Sequence, residues 1–564
     1  MNNGERRMEN YYDLGSYARK ISTSRNEAQL WFNRGLMWNY GYNFEEAVTC
    51  FQRAVEIDPT CVMGYWGIAY GLGCNYNKEW KVFSEREVGK VLTKAREAIE
   101  VGKQHLALAT ELEAGLLLAL EKRFQAAETS GEEELCAWND DFAAEMRQVY
   151  QRFPTDWDVA TLFAEALINR TPWQLWNLKT GKPADGADTL EAIEVLERGI
   201  NEGEAAGAPP HPGLNHIYIH VMEMSPTPEK ALLAADILRD LVPDAGHLKH
   251  MPSHIDILCG DYHSAVVANN RAHEANNKYL AHRGDLNEFT FYRSHDIHFK
   301  IYAAMLLGQY KTSLEAADQM LELANDKILH MERPPMAFTL EGMISMKLHV
   351  LIRFGKWQEI IDSPFPEEKD LYCNTVAMLH YAKGIAFATL GDFDAAEAEQ
   401  ISFKVAEGNL HKHRYIFNNT CADILKVAEA MLNGEVEYHK GNYGIAFGHL
   451  RHAVELDDNL AYAEPWGWMM PTRHALGALL LEQGHLDEAA AVYRADLGLD
   501  NTVYRPLQHP DNVWSLHGYV ACLQKLGKVA EAEAMQNRLN LALARADIEI
   551  NASCFCAKKS CCQS

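Results

Sequence analysis

The spacing of small residues in "EAQLWFNRGLMWNYGYNFEEAVTCFQRAVEIDP" leaves few folds open to this chain. Counting Ala28 as position 1, Trp31, Gly35, Ala47, Phe51, Ala54 and Pro59 fall at positions 4, 8, 20, 24, 27 and 32. Small residues at 8, 20 and 27 let two successive helices pack closely, and a proline past the second helix closes it. The frame returns later. "MLNGEVEYHKGNYGIAFGHLRHAVELDD" places Gly434, Ala446 and Ala453 at 8, 20 and 27. "EPWGWMMPTRHALGALLLEQGHLDEAAAVYRADLG" places Gly477, Ala489 and Tyr493 at 8, 20 and 24. "DNVWSLHGYVACLQKLGKVAEAEAMQ" offers Trp514, Gly518 and Ala530 at 4, 8 and 20. Self-similarity at this period predicts stacked helix–turn–helix units and almost no sheet.

The unit resembles the tetratricopeptide (TPR) repeat. The resemblance implies an all-α, TPR-like helical-repeat superhelix (an α-solenoid) with a concave groove and irregular inserts. The phrases "CVMGYWGIAYGLGCNYN", "HPGLNHIYIHVMEMSP", "PDAGHLKHMPSHIDILCGDYHSAVVAN", "HYAKGIAFATLGD" and "MMPTRHALGALLLEQGHLDEAAAVYRADL" together resemble a large family of TPR-containing proteins over residues 25–545. Its most specific mark is the phrase AGHLxHMPSHI, and it implies the fold without implying a reaction. The expected organisation is a polar segment at 1–24, TPR-like helices at 25–120 and a helical insert at 121–210. Histidine-bearing repeats at 211–310, further repeats at 311–545 and a cysteine-rich tail at 546–564 follow. The insert carries an acidic stretch and a Pro/Gly-rich loop with two tryptophans, "NRTPWQLWNLKTGKPADGADT". That loop either caps the groove or lies on the surface.

Hydrophobic content of 48% is enough for a core. A formal net charge of −25 repels phosphate backbones and argues against a nucleic-acid partner. The N-terminus lacks the apolar stretch of a secretory signal, and no apolar run approaches the roughly 20 residues of a membrane span. The chain therefore reads as soluble and cytoplasmic, with membrane contact expected only through a lipidated tail.

The stretch "GHLKHMPSH" puts His247, His250 and His254 on one helical face. The repeat frame identifies that face. A unit starting at Pro212 has Ala231 at position 20 and Pro243 at 32, and the next unit starts at Gly246 with Gly260 at its turn. A third starts at Ser294, after an insert, with Gly308 at its turn. In the TPR family, positions 2, 5, 9, 12 and 13 generally line the concave groove. These positions carry His216, His220 and Glu223 in the first unit, and His247, His250 and His254 in the second. The third supplies His295, His298 and Tyr302. His349 and Tyr381 reach groove positions farther along. His263, His273 and His282 fall off this face.

Seven imidazoles on facing helices point to metal, because neutral imidazole is the commonest protein ligand for copper, iron, zinc and nickel. Pairs at i, i+3 or i, i+4 can share an ion. The donor set lacks the carboxylates of ferritin-type diiron sites and the cysteines of structural zinc sites. Copper, as one ion or two, is the leading expectation, with iron or zinc as alternatives. Glu223 would serve as a base and Tyr302 as a proton or electron donor. The expected function is a metal-dependent oxidoreductase acting on a small-molecule substrate. The alternatives are a TPR module binding a protein partner's peptide in the groove, metal storage or sensing without turnover, and a purely structural histidine cluster.

Eight cysteines are scattered singly from Cys50 to Cys522 and read as small core hydrophobes. The tail "NASCFCAKKSCCQS" holds Cys554, Cys556, Cys561 and Cys562. It is compatible with a soft-metal relay or with farnesylation at Cys561, whose C-terminal outline lacks aliphatic middle positions. A disordered tail is the default.

Overall fold

The computed structural model describes residues 11–129, 131–332 and 335–557. Within these, helices and their connecting loops make up the chain, and the strands are confined to two short hairpins, Trp176–Asn177 with Lys182–Pro183 and Tyr415–Ile416 with Asn419–Thr420. The fold is all-α and of TPR type. Successive helices pack antiparallel in pairs, such as Asn26–Tyr40 with Phe44–Ile57, Cys373–Leu390 with Phe393–Gly408, and Thr472–Glu482 with Leu486–Asp496. The chain divides into two compact units. Unit one comprises the described residues up to Ile255 with Glu274–Tyr279, and unit two comprises Asp256–His273 with the described residues from Leu280 onward.

The packing rule read from the sequence is visible in the first repeat. Ala47, Phe51 and Ala54 are fully buried. A Cβ on Gly35 would lie 2.6 Å from the Phe51 ring, and one on Gly67 would lie 2.5 Å from it. The aromatic at position 24 is thus clasped by a glycine of its own repeat and a glycine of the next. Tyr493 repeats the arrangement between Gly477 and Gly518. This corrects the register of the last unit. Gly527, with φ +70°, closes its turn at position 15 if the unit starts at Val513, and Ala532 then takes position 20. Ala532 is buried whereas Ala530 is exposed. Gly518 serves the preceding repeat's tyrosine, which is why it looked like a position 8.

Turn glycines behave as the frame predicts. Gly308 ends its helix in the left-handed region at φ +73°, a conformation open to glycine without steric cost. The first repeat instead has Tyr42 at position 15, with φ +53°, and the unit from Pro212 has Pro226 there.

The disordered-tail expectation is corrected up to residue 557. The Asp547 carboxylate accepts from the Tyr310 and Lys311 amides at 2.7 and 2.9 Å. Phe555 lies edge-on to Trp514 at 5.9 Å between ring centroids, and Ser553 hydrogen-bonds Tyr493. Ile550 and Cys556 are buried. Cys554 and Cys556 are joined as a disulfide, so neither is available as a thiolate of a four-cysteine relay. Cys561 and Cys562, including the farnesylation position, lie outside the described residues. Among the described residues no helix is long and apolar enough to cross a membrane. Truncation after Arg545 should expose Trp514 and Tyr493 and lower the melting temperature of the chain by several degrees, measured by circular dichroism.

Candidate metal centre

Unit one builds its histidine cluster on two stretches. The first is the helix Pro212–Glu223, entered through His211 and Pro212. Proline suits the first helical turn, where its missing N–H has no partner to lose. His211 caps the helix, its Nδ1 accepting from the Leu214 amide at 3.1 Å. With Nδ1 an acceptor, its Nε2–H donates to the Asp158 carboxylate at 3.1 Å. Asp158 is buried and also takes Arg19 at 2.7 Å and the Tyr40 hydroxyl at 2.5 Å. Burial alone would raise its pKa, but the His211 and Arg19 contacts hold the carboxyl well below the usual range. This network fixes where the helix starts, and hence where His216 and His220 stand. The second stretch comprises the helices Gly246–His250 and Pro252–Cys259, which carry His247, His250 and His254.

The imidazoles are packed ring against ring. His216 Nε2 lies 3.1 Å from His247 Nε2, and His250 Nε2 lies 2.8 Å from His254 Nε2. One ligand nitrogen from each of His216, His220 and His247 falls within 4.8 Å of the others. Two imidazole nitrogens on one tetrahedral ion with bonds of 2.0–2.1 Å stand about 3.3 Å apart, close to the His216–His247 separation. Glu223 sits between the pairs. Its carboxylate meets His220 Nδ1 at 3.2 Å and His254 Nδ1 at 2.9 Å. His220 Nδ1 therefore carries the proton, which leaves its Nε2 lone pair for other work. His220 Nε2 is buried and has no hydrogen-bond partner among the described residues.

Burial dominates the protonation of this site. It drives His216 and His247 well below the ordinary histidine pKa, and crowding by neighbouring imidazoles adds to it. His220 is lowered too, burial outweighing the help of Glu223. Glu223 stays ionised despite its burial, because His220 and His254 donate to it. Neutral imidazoles beside an oriented carboxylate are the state in which histidine binds metal.

Several expectations are corrected. An open groove would leave its lining half-exposed, yet His216, His220, Glu223 and His250 are 0% exposed and His247 and His254 are 1% exposed. Tyr42 closes over the cluster, with ring centroids 4.6, 5.3 and 5.7 Å from His216, His247 and His220. Its left-handed backbone at a glycine position turns the ring inward. Tyr76 lies 4.9 Å from His220 and packs, tilted, against Trp173 at 4.9 Å between ring centroids. Trp176 donates to the Val221 carbonyl at 2.7 Å. Both tryptophans of the insert loop thus pack toward the cluster.

Five of the seven predicted histidines, with Glu223, meet in unit one. His295 and His298 belong to unit two, where His295 is edge-on to Phe299 and Phe417 and His298 stacks on Phe417. His298 Nε2 lies 2.6 Å from Met469 Sδ, and burial pushes its pKa down to about 3. Tyr302, expected as a donor, is buried with its hydroxyl 2.6 Å from His509 Nε2. His509 Nδ1 donates to Asp496 at 2.7 Å, and Asp496 also accepts from His474 Nε2 at 3.0 Å. Sequence reasoning passed over His211, Asp158, Asp496 and Tyr42. Only Tyr42 carried a legible signal, as a tyrosine at the turn position where most later units have glycine.

Residues 28–61 match the tetratricopeptide repeat model. Among curated proteins none matches the chain. Solved structures that it resembles include the human IFIT1 dimer with m7Gppp-AAAA, at 11% identity and a TM-score of 0.33, covering 90% of this chain and 95% of that one. Yeast Tom70 is similar at 13% identity and a TM-score of 0.27, covering 92% and 97%. The APC/C hetero-tetramer Cut9-Hcn1 is similar at 12% identity and a TM-score of 0.22, covering 93% and 94%.

Proposed function

We propose that this chain is a TPR-type protein that holds a transition-metal ion on the clustered imidazoles of unit one. The observation carrying this reading is Glu223. Its Oε1 takes the Nδ1 proton of His220 and its Oε2 lies 2.9 Å from His254 Nδ1, an arrangement by which an outer carboxylate orients metal-binding histidines. In that role Glu223 is a positioning residue for His220. His216, His220 and His247 would hold the ion, with His250 and His254 as a neighbouring pair. The donors suit copper, and zinc or iron are ions the same set accepts. The enclosure by Tyr42 and Tyr76 supports tight retention of an ion. It gives less support to oxidation of a small-molecule substrate, which needs an open position on the metal.

A second reading is supported by the match at residues 28–61: the repeats recognise a protein partner, with the ion as a structural or sensing element.

Metal analysis after incubation with copper, zinc or iron and desalting tests the first reading. Stoichiometric retention of one of them is expected. Glu223→Gln should weaken retention about 10–100-fold, and His220→Ala should abolish it with helical content intact. A wild-type chain that retains none of the three metals ends the proposal, and capture of a partner by that metal-free chain would favour the second reading.

A further inference from the structure

Unit two contains a cavity whose wall collects buried donors that the chain leaves unmatched. Arg353, Glu435, Trp468, Met470, Ala475 and Cys554 line it, and it encloses about 20 Å³. That is room for a particle the size of a water molecule or a halide. Arg353 Nη1, Trp468 Nε1 and Glu435 Oε2 are buried and have no hydrogen-bond partner among the described residues. Buried polar atoms are almost always satisfied, so several unmatched around one cavity call for an occupant.

The repeat frame explains why these residues meet. Arg353 falls at position 13 of a unit starting at 341, Glu435 at position 9 of one starting at 427, and His474 at position 5 of one starting at 470. These are inner-face positions of helices separated by long stretches of chain. The guanidinium is held from behind. Asp496 stays ionised because His474 and His509 donate to it. It accepts from His474 Nε2–H at 3.0 Å, so His474 Nδ1 is the acceptor for Arg353 Nη2 at 3.0 Å. This relay consumes one arm of Arg353 and leaves Nη1 over.

We propose that unit two binds a small monoanion of chloride size in this cavity, between the Arg353 guanidinium and the Trp468 indole N–H. Among the described residues that line the cavity, Glu435 is the one carboxyl. Burial pushes its pKa up to about 8, so at neutral pH it carries a proton and donates rather than repels. A water molecule would bring two hydrogens of its own into a wall already rich in donors. An anion accepts from all three groups and brings none.

Thermal melting of the full chain in sodium chloride and in sodium gluconate of equal ionic strength tests this, gluconate being too large for the cavity. The expected result is a higher melting temperature in chloride, rising with the logarithm of its concentration. Trp468→Phe keeps the packing but removes one donor, and should weaken the apparent chloride affinity about tenfold. Arg353→Met should abolish the chloride effect. If that variant does not fold, Trp468→Phe alone decides. A bromide-soaked crystal should show one anomalous peak between Arg353 and Trp468. Equal melting in the two salts, an undiminished chloride effect in Trp468→Phe, or no bromide at that place would each overturn the proposal, leaving water as the occupant.

Discussion

Replacing Asp158 by Asn should destabilise unit one by about 3–5 kcal/mol at neutral pH, the range for breaking a buried ion pair from one side. The carboxylate takes Arg19, Tyr40 and His211 together in a buried setting. An asparagine there keeps the shape but leaves Arg19 one partner short, with Asp156 at 2.9 Å as its remaining anion. The effect has a defined pH dependence. The carboxyl of the folded protein lies below its unfolded value. Its contribution is therefore fully present above the unfolded pKa of about 3.9 and is lost as pH falls toward the folded one. Urea unfolding of wild type and variant should differ most near pH 7, and the gap should narrow below about pH 4. A gap that is flat through this range would mean that the carboxylate's charge is not what stabilises the network. His211 adds a second consequence. Because it caps the helix bearing His216 and His220, the variant should also weaken retention of the proposed ion, in proportion to the fraying of that helix.

The helical-repeat fold was legible because its rule is local. Gly, Ala and Pro at fixed offsets report the packing of one helix on the next, and Ala47, Phe51 and Ala54 are all fully buried as that rule requires. The rule slipped at Gly518, because a glycine that receives the preceding repeat's aromatic looks the same in sequence as one that receives its own. The alignment of His216, His220, His247, His250 and His254 was legible from the same frame. Their enclosure was not, since position in a repeat says which face a residue occupies and not what covers it. The covering groups arrive from far along the chain. Tyr42 comes from the first repeat, and Trp173 and Trp176 from an insert with no repeat register at all. Asp158 lies in that insert too, and its partner Arg19 is 139 residues away. No local pattern encodes such a pairing. The buried tail was misread for a related reason. Its polar composition suits disorder, but Phe555 and Ile550 find their partners only across sequence.

Phe51→Ala should cost about 3–5 kcal/mol, the usual loss for emptying a buried aromatic site. The ring is 0% exposed and packs beside Phe32 at 5.6 Å and Trp66 at 6.4 Å between centroids. More telling is the clasp of Gly35 and Gly67. Neither glycine can move to fill the space, because each is fixed in a helix, so the cavity should persist and the loss should fall toward the upper end. The reciprocal change follows from the same geometry. Gly35→Ala sets a methyl 2.6 Å from a rigid ring, and such overpacking costs about 1–3 kcal/mol. Combining Gly35→Ala with Phe51→Leu should relieve part of that clash, giving a double variant more stable than the sum of the two single losses by more than about 0.5 kcal/mol. Urea melts of the four proteins measure this directly. Additive losses would show that the first repeat relaxes around its aromatic, and that the glycine at position 8 is set by something other than the ring it receives.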